Sequence, residues 1–180
     1  MEAVGPEASL QHLSDEALWL SHVAGGDEAF SEVRRRHEGT LFRYLQLSLG
    51  DVRAAAETLG KVLRLARAHR QPYEGFDSLR GWLFAVATQA AVPAHVPQDE
   101  GLSQMVADLK RPRPKAVEDA LKHALADMHR DVRQPFLLVM VMGLSLAESA
   151  RACRFPVDKA ARRVLSACGE FARLATLPKE

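Results

Sequence analysis

Apolar residues recur every three or four positions along most of this chain, which is the spacing of one face of an α-helix. One segment that begins at Asp51 places Ala55, Leu59 and Val62 on a single face. The run Leu137–Met142 differs, because it is apolar on every side and therefore predicts a buried helix. Runs of β-branched and aromatic residues typical of strands are absent from the sequence, so the pattern predicts an all-α fold.

Polar caps and glycines divide this pattern into separate helices. The side chain of a cap accepts hydrogen bonds from the free amides at a helix start, and glycine commonly follows a helix end. The candidate caps are Ser14, Asp27 and Asp77, and Gly50-Asp51 marks the end of one helix and the start of the next. The predicted helices cover residues 15–24, 27–49, 51–69, 78–91, 116–129, 132–142, 145–153 and 157–175. Trp19, Trp82 and Phe84 are the bulky core candidates of the first four.

Prolines separate the predicted helices into two groups. Pro93, Pro97, Pro112 and Pro114 prevent a continuous helix, although residues 102–109 could form a turn or two. The sequence therefore predicts two small helical domains, at residues 15–92 and 115–180, with a linker over 93–114. Residues 1–14 are predicted to be a flexible N-terminal arm.

The segment from Gly143 to Arg163 predicts a helix-turn-helix. Ser145 and Glu148 have the spacing of a capping box, and small alanines after them allow a second helix to cross closely. That second helix carries cations on adjacent turns, which suit guanine edges or phosphate. The candidate DNA-binding residues are Lys159, Arg162, Arg163 and Ser145. The alternative interpretation is a solvated helix face.

Composition narrows the function classes. The chain has 47% hydrophobic residues and a net charge of +1, which indicates a soluble globular protein. Residues 1–92 hold ten Lys and Arg against twelve Asp and Glu, whereas residues 115–180 hold eleven against eight. That excess predicts only modest DNA affinity. We expect a cytoplasmic protein without a membrane span or signal peptide.

Catalytic and metal chemistry find little support in the sequence. Two cysteines are too few for a disulfide scaffold, and the seven histidines do not pair with them at zinc-like spacings. No phosphate-binding glycine loop occurs, and Ser145 is interpreted as a helix cap rather than a nucleophile. We therefore expect no enzyme, no catalytic or metal-binding residues and no cofactor.

Four pieces of the sequence, in order, resemble the extracytoplasmic-function (ECF) class of bacterial RNA polymerase sigma factors. They are Asp15–Leu18 with Gly26–Phe30, Gly50–Leu59, Ser78–Ala87, and Ala120–Leu121 through Arg133 to Gly143–Glu148. The resemblance implies that residues 15–92 bind the polymerase core, that the C-terminal domain reads promoter DNA, and that an anti-sigma factor is a further partner. It assigns polymerase binding to Glu57, Leu59, Lys61 and Val62.

Two departures from the family pattern keep other functions open. Lys61 stands where the family usually carries an acid that meets a basic polymerase surface, and like charges at an interface cost affinity. Residues 81–98 hold no Lys or Arg, although promoter melting needs groups that hold the displaced strand. A degenerate sigma-like protein that binds an anti-sigma factor or another regulator is therefore the alternative. A helix-turn-helix repressor that never touches polymerase is the third hypothesis.

Overall fold

The computed structural model describes residues 10–91 and 124–175, and all regular secondary structure in these two stretches is helical. This confirms the all-α prediction. The first stretch holds α1 (Asp15–Val23), α2 (Asp27–Leu49), α3 (Val52–Ala68) and α4 (Leu79–Ala90). The second holds α5 (Arg130–Phe136), a π-helix (Leu137–Val141), α6 (Leu146–Cys153) and α7 (Val157–Ala175). The predicted arm at 1–9, the linker at 93–114 and most of the helix at 116–129 lie outside the described residues.

The predicted helix caps agree only in part with the structure. Ser14 accepts from the amide of Ala17 at 3.2 Å, as predicted. Asp51, which was predicted only to mark a helix start, caps α3 by accepting from the amide of Ala54 at 2.5 Å. The other two predicted caps are wrong. Gly26 occupies the cap position before α2, so Asp27 is already helical, and its carboxylate binds Arg70 at 2.8 Å.

Asp77 is displaced from its predicted role by its neighbour. Ser78 caps α4, with its Oγ accepting from the amide of Gly81 at 2.9 Å. Asp77 instead binds Arg151 of α6. Asp77 and Ser78 both have side chains that can cap a helix. In the structure Ser78 is the cap, and Asp77 is engaged by Arg151.

The apolar run of the second stretch is not the fully buried α-helix that was predicted over 132–142. α5 contains Pro135, and the chain then widens into a π-helix, where the amide of Met142 donates to the carbonyl of Leu137 at 2.9 Å. Extra residues per turn rotate the later side chains away from the core. Leu137 and Leu138 are buried, whereas Met140 and Val141 are 57% and 42% exposed.

Both stretches contribute to one hydrophobic core. Trp19, Trp82 and Phe84 are buried in it, as the sequence predicted. The same cluster contains Leu137, Leu138, Met142, Leu144 and Ala152 from the second stretch. α6 packs directly on α4, and α7 packs on α5 and α6. The boundaries of the predicted domains stay a prediction, because the chain between the two stretches is outside the described part.

Candidate nucleic-acid and partner interfaces

The predicted capping box forms at the start of α6. The Ser145 Oγ accepts from the Glu148 amide at 3.1 Å, and the Glu148 carboxylate accepts from the Ser145 amide at 3.1 Å. Two amides without helical partners are thereby satisfied by a reciprocal pair. Ser145 is exposed, but its hydroxyl is already engaged with Glu148. Its predicted contact with DNA stays a prediction.

The turn between α6 and α7 is closed at Arg154, which has a φ of 55°. The amide of Phe155 donates to Ala150 at 2.8 Å and that of Arg154 donates to Arg151 at 3.1 Å. These two bonds form a Schellman motif, in which the left-handed position usually belongs to glycine. α7 begins at Val157, directly after Pro156. The order of helix, tight turn and helix agrees with the predicted helix-turn-helix.

The three predicted DNA-binding cations share α7 but differ in their surroundings. Arg162 has a side chain that is 72% exposed, and it pairs with Asp158 at 2.8 Å. Arg163 is 33% exposed and lies 3.8 Å from Asp131 of α5. The Lys159 ammonium lies 4.3 Å from the centre of the Phe155 ring. All three reach the surface, and each has a neighbour within the protein.

A contact between α4 and α6, here called the α4–α6 contact, was missed by sequence reasoning. Ser78 of α4 donates to Glu148 at 2.6 Å. Gly81 permits this approach, because a Cβ there would lie 2.6 Å from the Glu148 Oε1. Burial by itself would raise the pKa of Glu148, but the hydrogen bonds from Ser78 and Ser145 together lower the pKa. The capping-box carboxylate thus stays charged while it joins the two stretches.

Arginines flank the α4–α6 contact. Arg151 binds the Asp77 carboxylate and the Gly75 carbonyl, each at 2.5 Å. Arg154 donates to the Gln89 side chain at 2.6 Å, and Arg80 donates to the Met142 carbonyl. The paired residues are more than 60 positions apart in the chain. No local sequence signal relates such positions, which is why the contact was not predicted.

The four predicted polymerase-binding residues divide between the surface and the core of α3. Glu57 and Lys61 are exposed on one face, and Glu57 pairs with Arg53 at 3.3 Å. Leu59 is 8% exposed and Val62 is fully buried. The structure therefore brings Glu57 and Lys61 together as a candidate contact surface. Leu59 and Val62 instead pack in the hydrophobic core behind that surface.

Between α2 and α3 lies a groove of about 490 Å³, here called the α2–α3 groove. Phe30, Leu59 and Leu63 contribute its apolar lining, and Gly60 leaves the centre of its α3 side without a side chain. Arg34, Arg64 and Arg67 also line it. Sequence reasoning did not predict this cavity, although Gly60 within the helix was an available signal.

None of the helices within residues 10–91 and 124–175 combines the length and the apolar composition of a membrane span.

Comparisons of the sequence find similarity to known sigma factors. Two mycobacterial proteins are each 26% identical to this chain over 163 residues, which span 84% of this chain and 85% of the relative. They are the "Probable RNA polymerase sigma-C factor" of Mycobacterium bovis and the "ECF RNA polymerase sigma factor SigC" of Mycobacterium tuberculosis. The chain is thus similar to ECF sigma factors. No protein-family model matches it.

A solved structure has a related fold. CnrH, in complex with the cytosolic domain of CnrY, matches with a TM-score of 0.66 and 19% identity. The match covers 89% of this chain and 96% of CnrH. At this identity the likeness concerns the fold, and it extends over both described stretches rather than over one helix-turn-helix alone.

Proposed function

We propose that this chain is a divergent sigma factor of the ECF class, which binds the RNA polymerase core and directs it to promoter DNA. The observation that carries the proposal is the similarity to sigma-C proteins over 84% of the chain. In this proposal the polymerase performs the chemistry, so the chain is no enzyme, needs no cofactor and works in the cytoplasm. Glu57 and Lys61 contact the core, and α7 approaches DNA.

The surroundings of Arg162 on α7 favour contact with DNA phosphates over contact with base edges. Arg162 is the most exposed of the three predicted cations, and its pair with Asp158 is solvent-accessible and therefore weak. A phosphate group can replace that carboxylate at little cost. Lys159 lies one turn before Arg162 on α7 and adds to its positive charge, whereas Arg163 is turned towards Asp131 of α5.

The decisive experiment is binding of the purified full chain to purified core polymerase. We expect a stable complex in a pull-down and in size-exclusion chromatography. The complex should then retain promoter fragments that core polymerase alone releases. Loss of both activities would refute the sigma-factor proposal.

The contribution of α7 is tested by the double change Arg162→Ala and Arg163→Ala. We expect weaker binding to promoter fragments and a salt slope reduced by about one to two, because two phosphate contacts disappear. Arg53→Ala is the control, since Arg53 is exposed on α3, far from α7 in the chain. Equal DNA binding by the double variant and the parent protein would remove these arginines from the interface.

A second candidate function is a sigma-like interaction protein that binds an anti-sigma factor or another regulator without opening promoters. The observation that favours it is exposed Lys61, which stands where the resembled family usually carries an acid. CnrH, which has a related fold, was solved in complex with the cytosolic domain of CnrY, and this supports a protein partner. Lys61→Glu should strengthen core binding if charge reversal weakens that contact. Unchanged binding would place Lys61 away from the core.

A further inference from the structure

Two hydrogen bonds attach the connection between α3 and α4 to α1. Residues 69–78, here called the α3–α4 segment, lie within the described part of the chain and form this connection without helical structure. Arg70 donates to the His22 carbonyl at 2.6 Å, and the Trp19 indole donates to the Gln71 carbonyl at 2.9 Å. The first residues of the segment are therefore held by α1.

The other end of the α3–α4 segment is attached to α6. Arg151 donates to the Gly75 carbonyl and to the Asp77 carboxylate. The guanidinium of Arg151 also lies 6.0 Å from the centre of the Phe76 ring. Because the two attachments involve different elements, loss of one does not by itself remove the other.

Buried imidazoles lie beside the attachment to α1. His22 is fully buried between Trp19 and Phe30, and within the described residues neither of its ring nitrogens has a hydrogen-bond partner. His69, at the start of the segment, lies against Trp19 and Trp82, and its buried Nε2 has no partner there either. Both nitrogens of an imidazolium are donors, so a charged His22 would leave two donors unsatisfied in this cluster.

The charged groups around His22 act in both directions, and their sum disfavours a positive ring. Burial is the largest cause that lowers the pKa of His22 below 6.5, and the charges of Arg70 and Arg67 lower the pKa further. Asp27 of α2 and the backbone of Arg67 raise the pKa. Asp27 is already engaged by Arg70 at 2.8 Å and by Arg67 at 3.6 Å. The remaining neighbours are the aromatic rings and His69.

We propose that the α3–α4 segment is an acid-sensitive switch, in which protonation of His22 detaches residues 70–73 from α1 while residues 75–77 stay attached to α6. The charged ring leaves the aromatic cluster for water, and the packing behind the two hydrogen bonds to α1 is lost. The positive ring also repels Arg70, which donates to the carbonyl of the same histidine. The helices themselves persist, because their backbone hydrogen bonds do not involve this cluster.

The direction of the pH dependence follows from burial. Detachment exposes His22 to water, where an imidazole has its ordinary pKa of about 6.5, so the detached form binds the proton more readily. The attached form is favoured above this pH. The ratio of detached to attached chains rises by up to about tenfold for each pH unit below it, until the pH reaches the lowered pKa of the attached form.

This inference does not rest on the proposed sigma-factor function. The switch is measured on the free chain, and core-polymerase binding is a separate measurement. Failure of the chain to bind polymerase leaves the switch standing, and failure of the switch leaves the sigma-factor proposal standing.

The test is an NMR titration of the isotopically labelled full chain from about pH 7.5 to about pH 5. The chain holds only two tryptophans, so the indole signal of Trp19 is readily assigned. We expect its N–H to exchange faster with water as the His22 ring titrates, with the same midpoint, while the amides of Gly75 and of α7 stay protected. Titration of His22 without faster exchange at Trp19 would overturn the proposal. Loss of the α7 signals at the same pH would also overturn it, since that result means global unfolding.

Substitutions assign the switch to His22. His22→Phe keeps an aromatic ring in the cluster but does not titrate, so acid should no longer speed the exchange of the Trp19 indole. His12→Phe makes the same change at an exposed position and should respond like the parent chain. Comparing the variants with the parent at the same pH removes the direct effect of pH on indole exchange.

An acid response of equal size in His22→Phe and in the parent chain would reject His22 as the trigger. Circular dichroism and thermal melting verify that each variant is folded. The titration of the unmodified chain tests the proposal independently of either variant.

Discussion

Arg154 holds a left-handed backbone conformation that usually belongs to glycine. Its φ of 55° closes the turn between α6 and α7. A side chain with a Cβ is strained there by about 1 kcal/mol relative to glycine. The guanidinium offsets part of this through its bond to Gln89 across the α4–α6 contact. Arg154 therefore combines local backbone strain with a hydrogen bond between the two described stretches.

Replacing Arg154 separates these two effects. We expect Arg154→Gly to unfold with a free energy about 0.5–1 kcal/mol higher than Arg154→Ala, since both lose the bond to Gln89 and only glycine relieves the strain. Urea denaturation followed by circular dichroism measures the difference. Equal stability of the two variants would contradict a strained turn.

His22 is fully buried between aromatic rings. Its ring centre lies 5.0 Å from that of Trp19 and 4.9 Å from that of Phe30. Within the described residues, neither ring nitrogen has a hydrogen-bond partner. Burial, and then the charge of Arg70, lower the pKa of His22 below its ordinary value of 6.5. Burial therefore favours the neutral form of His22 in the folded protein.

Acid should destabilise the fold through His22. Because its folded pKa is lowered, the unfolded chain binds the proton more readily, so stability is lost as the pH falls below about 6.5 and is regained above it. We expect His22→Phe to flatten the dependence of stability on pH between about 5 and 7. Thermal melts across this range check the prediction. His12→Gln is the control, because His12 is exposed.

At the scale of elements, α3 is a helix with a weak centre. Its buried face, which includes Ala55, Val62 and Ala66, packs in the core, whereas Gly60 adds no packing and loses more conformational entropy on folding than alanine does. The space around Gly60 accepts a methyl group with ordinary contact to Arg64. The helix is therefore open to stabilisation at this position.

We expect Gly60→Ala to raise the free energy of unfolding by about 0.5–1 kcal/mol, which is the difference in helix propensity between the two residues. Chemical denaturation measures it. Ala56→Gly, at another position that lines the α2–α3 groove, should have the opposite sign. Destabilisation by Gly60→Ala would mean that the backbone of α3 needs glycine.

Sequence reasoning predicted best those elements whose determining residues lie within one or two helical turns of each other. The capping box of α6 forms as its spacing indicates, because both partners lie within one helical turn. The π-helix was missed, since hydrophobicity on all sides does not distinguish an α-turn from a wider one. The sequence predicts Asp27 and Asp77 as caps, whereas both form ion pairs, because an aspartate suits either role.

At the scale of the whole molecule, the shared core joins the two described stretches. Ala152 of α6 is 1% exposed and belongs to the cluster that contains Trp82 and Phe84, whereas Ala150 and Ala160 are buried outside it. The ion pair of Arg151 with Asp77 lies at the rim, where solvent reduces its contribution. Apolar packing in the shared core therefore contributes to the association of the two stretches more than this exposed ion pair does.

The shared core predicts one cooperative unfolding transition for the whole chain. Ala152→Glu places a charge in that core and should split the transition, with the second stretch melting at the lower temperature. Ala172→Glu, at an exposed position of α7, should leave a single transition. Differential scanning calorimetry records both. Two transitions in the unmodified chain would show that the stretches unfold independently.

The sequence by itself determined α1 to α4, α6 and α7 with their approximate bounds, the capping box and the cations of α7, because these depend on residues within a few positions of one another. Only the tertiary structure decided that Asp77 binds Arg151, that Met140 is exposed while Leu138 is buried, and that α4 packs on α6. These features join groups separated by tens of residues, or depend on which face of a helix finds a neighbour. Their energies arise from packing and burial, which exist only once the chain has folded.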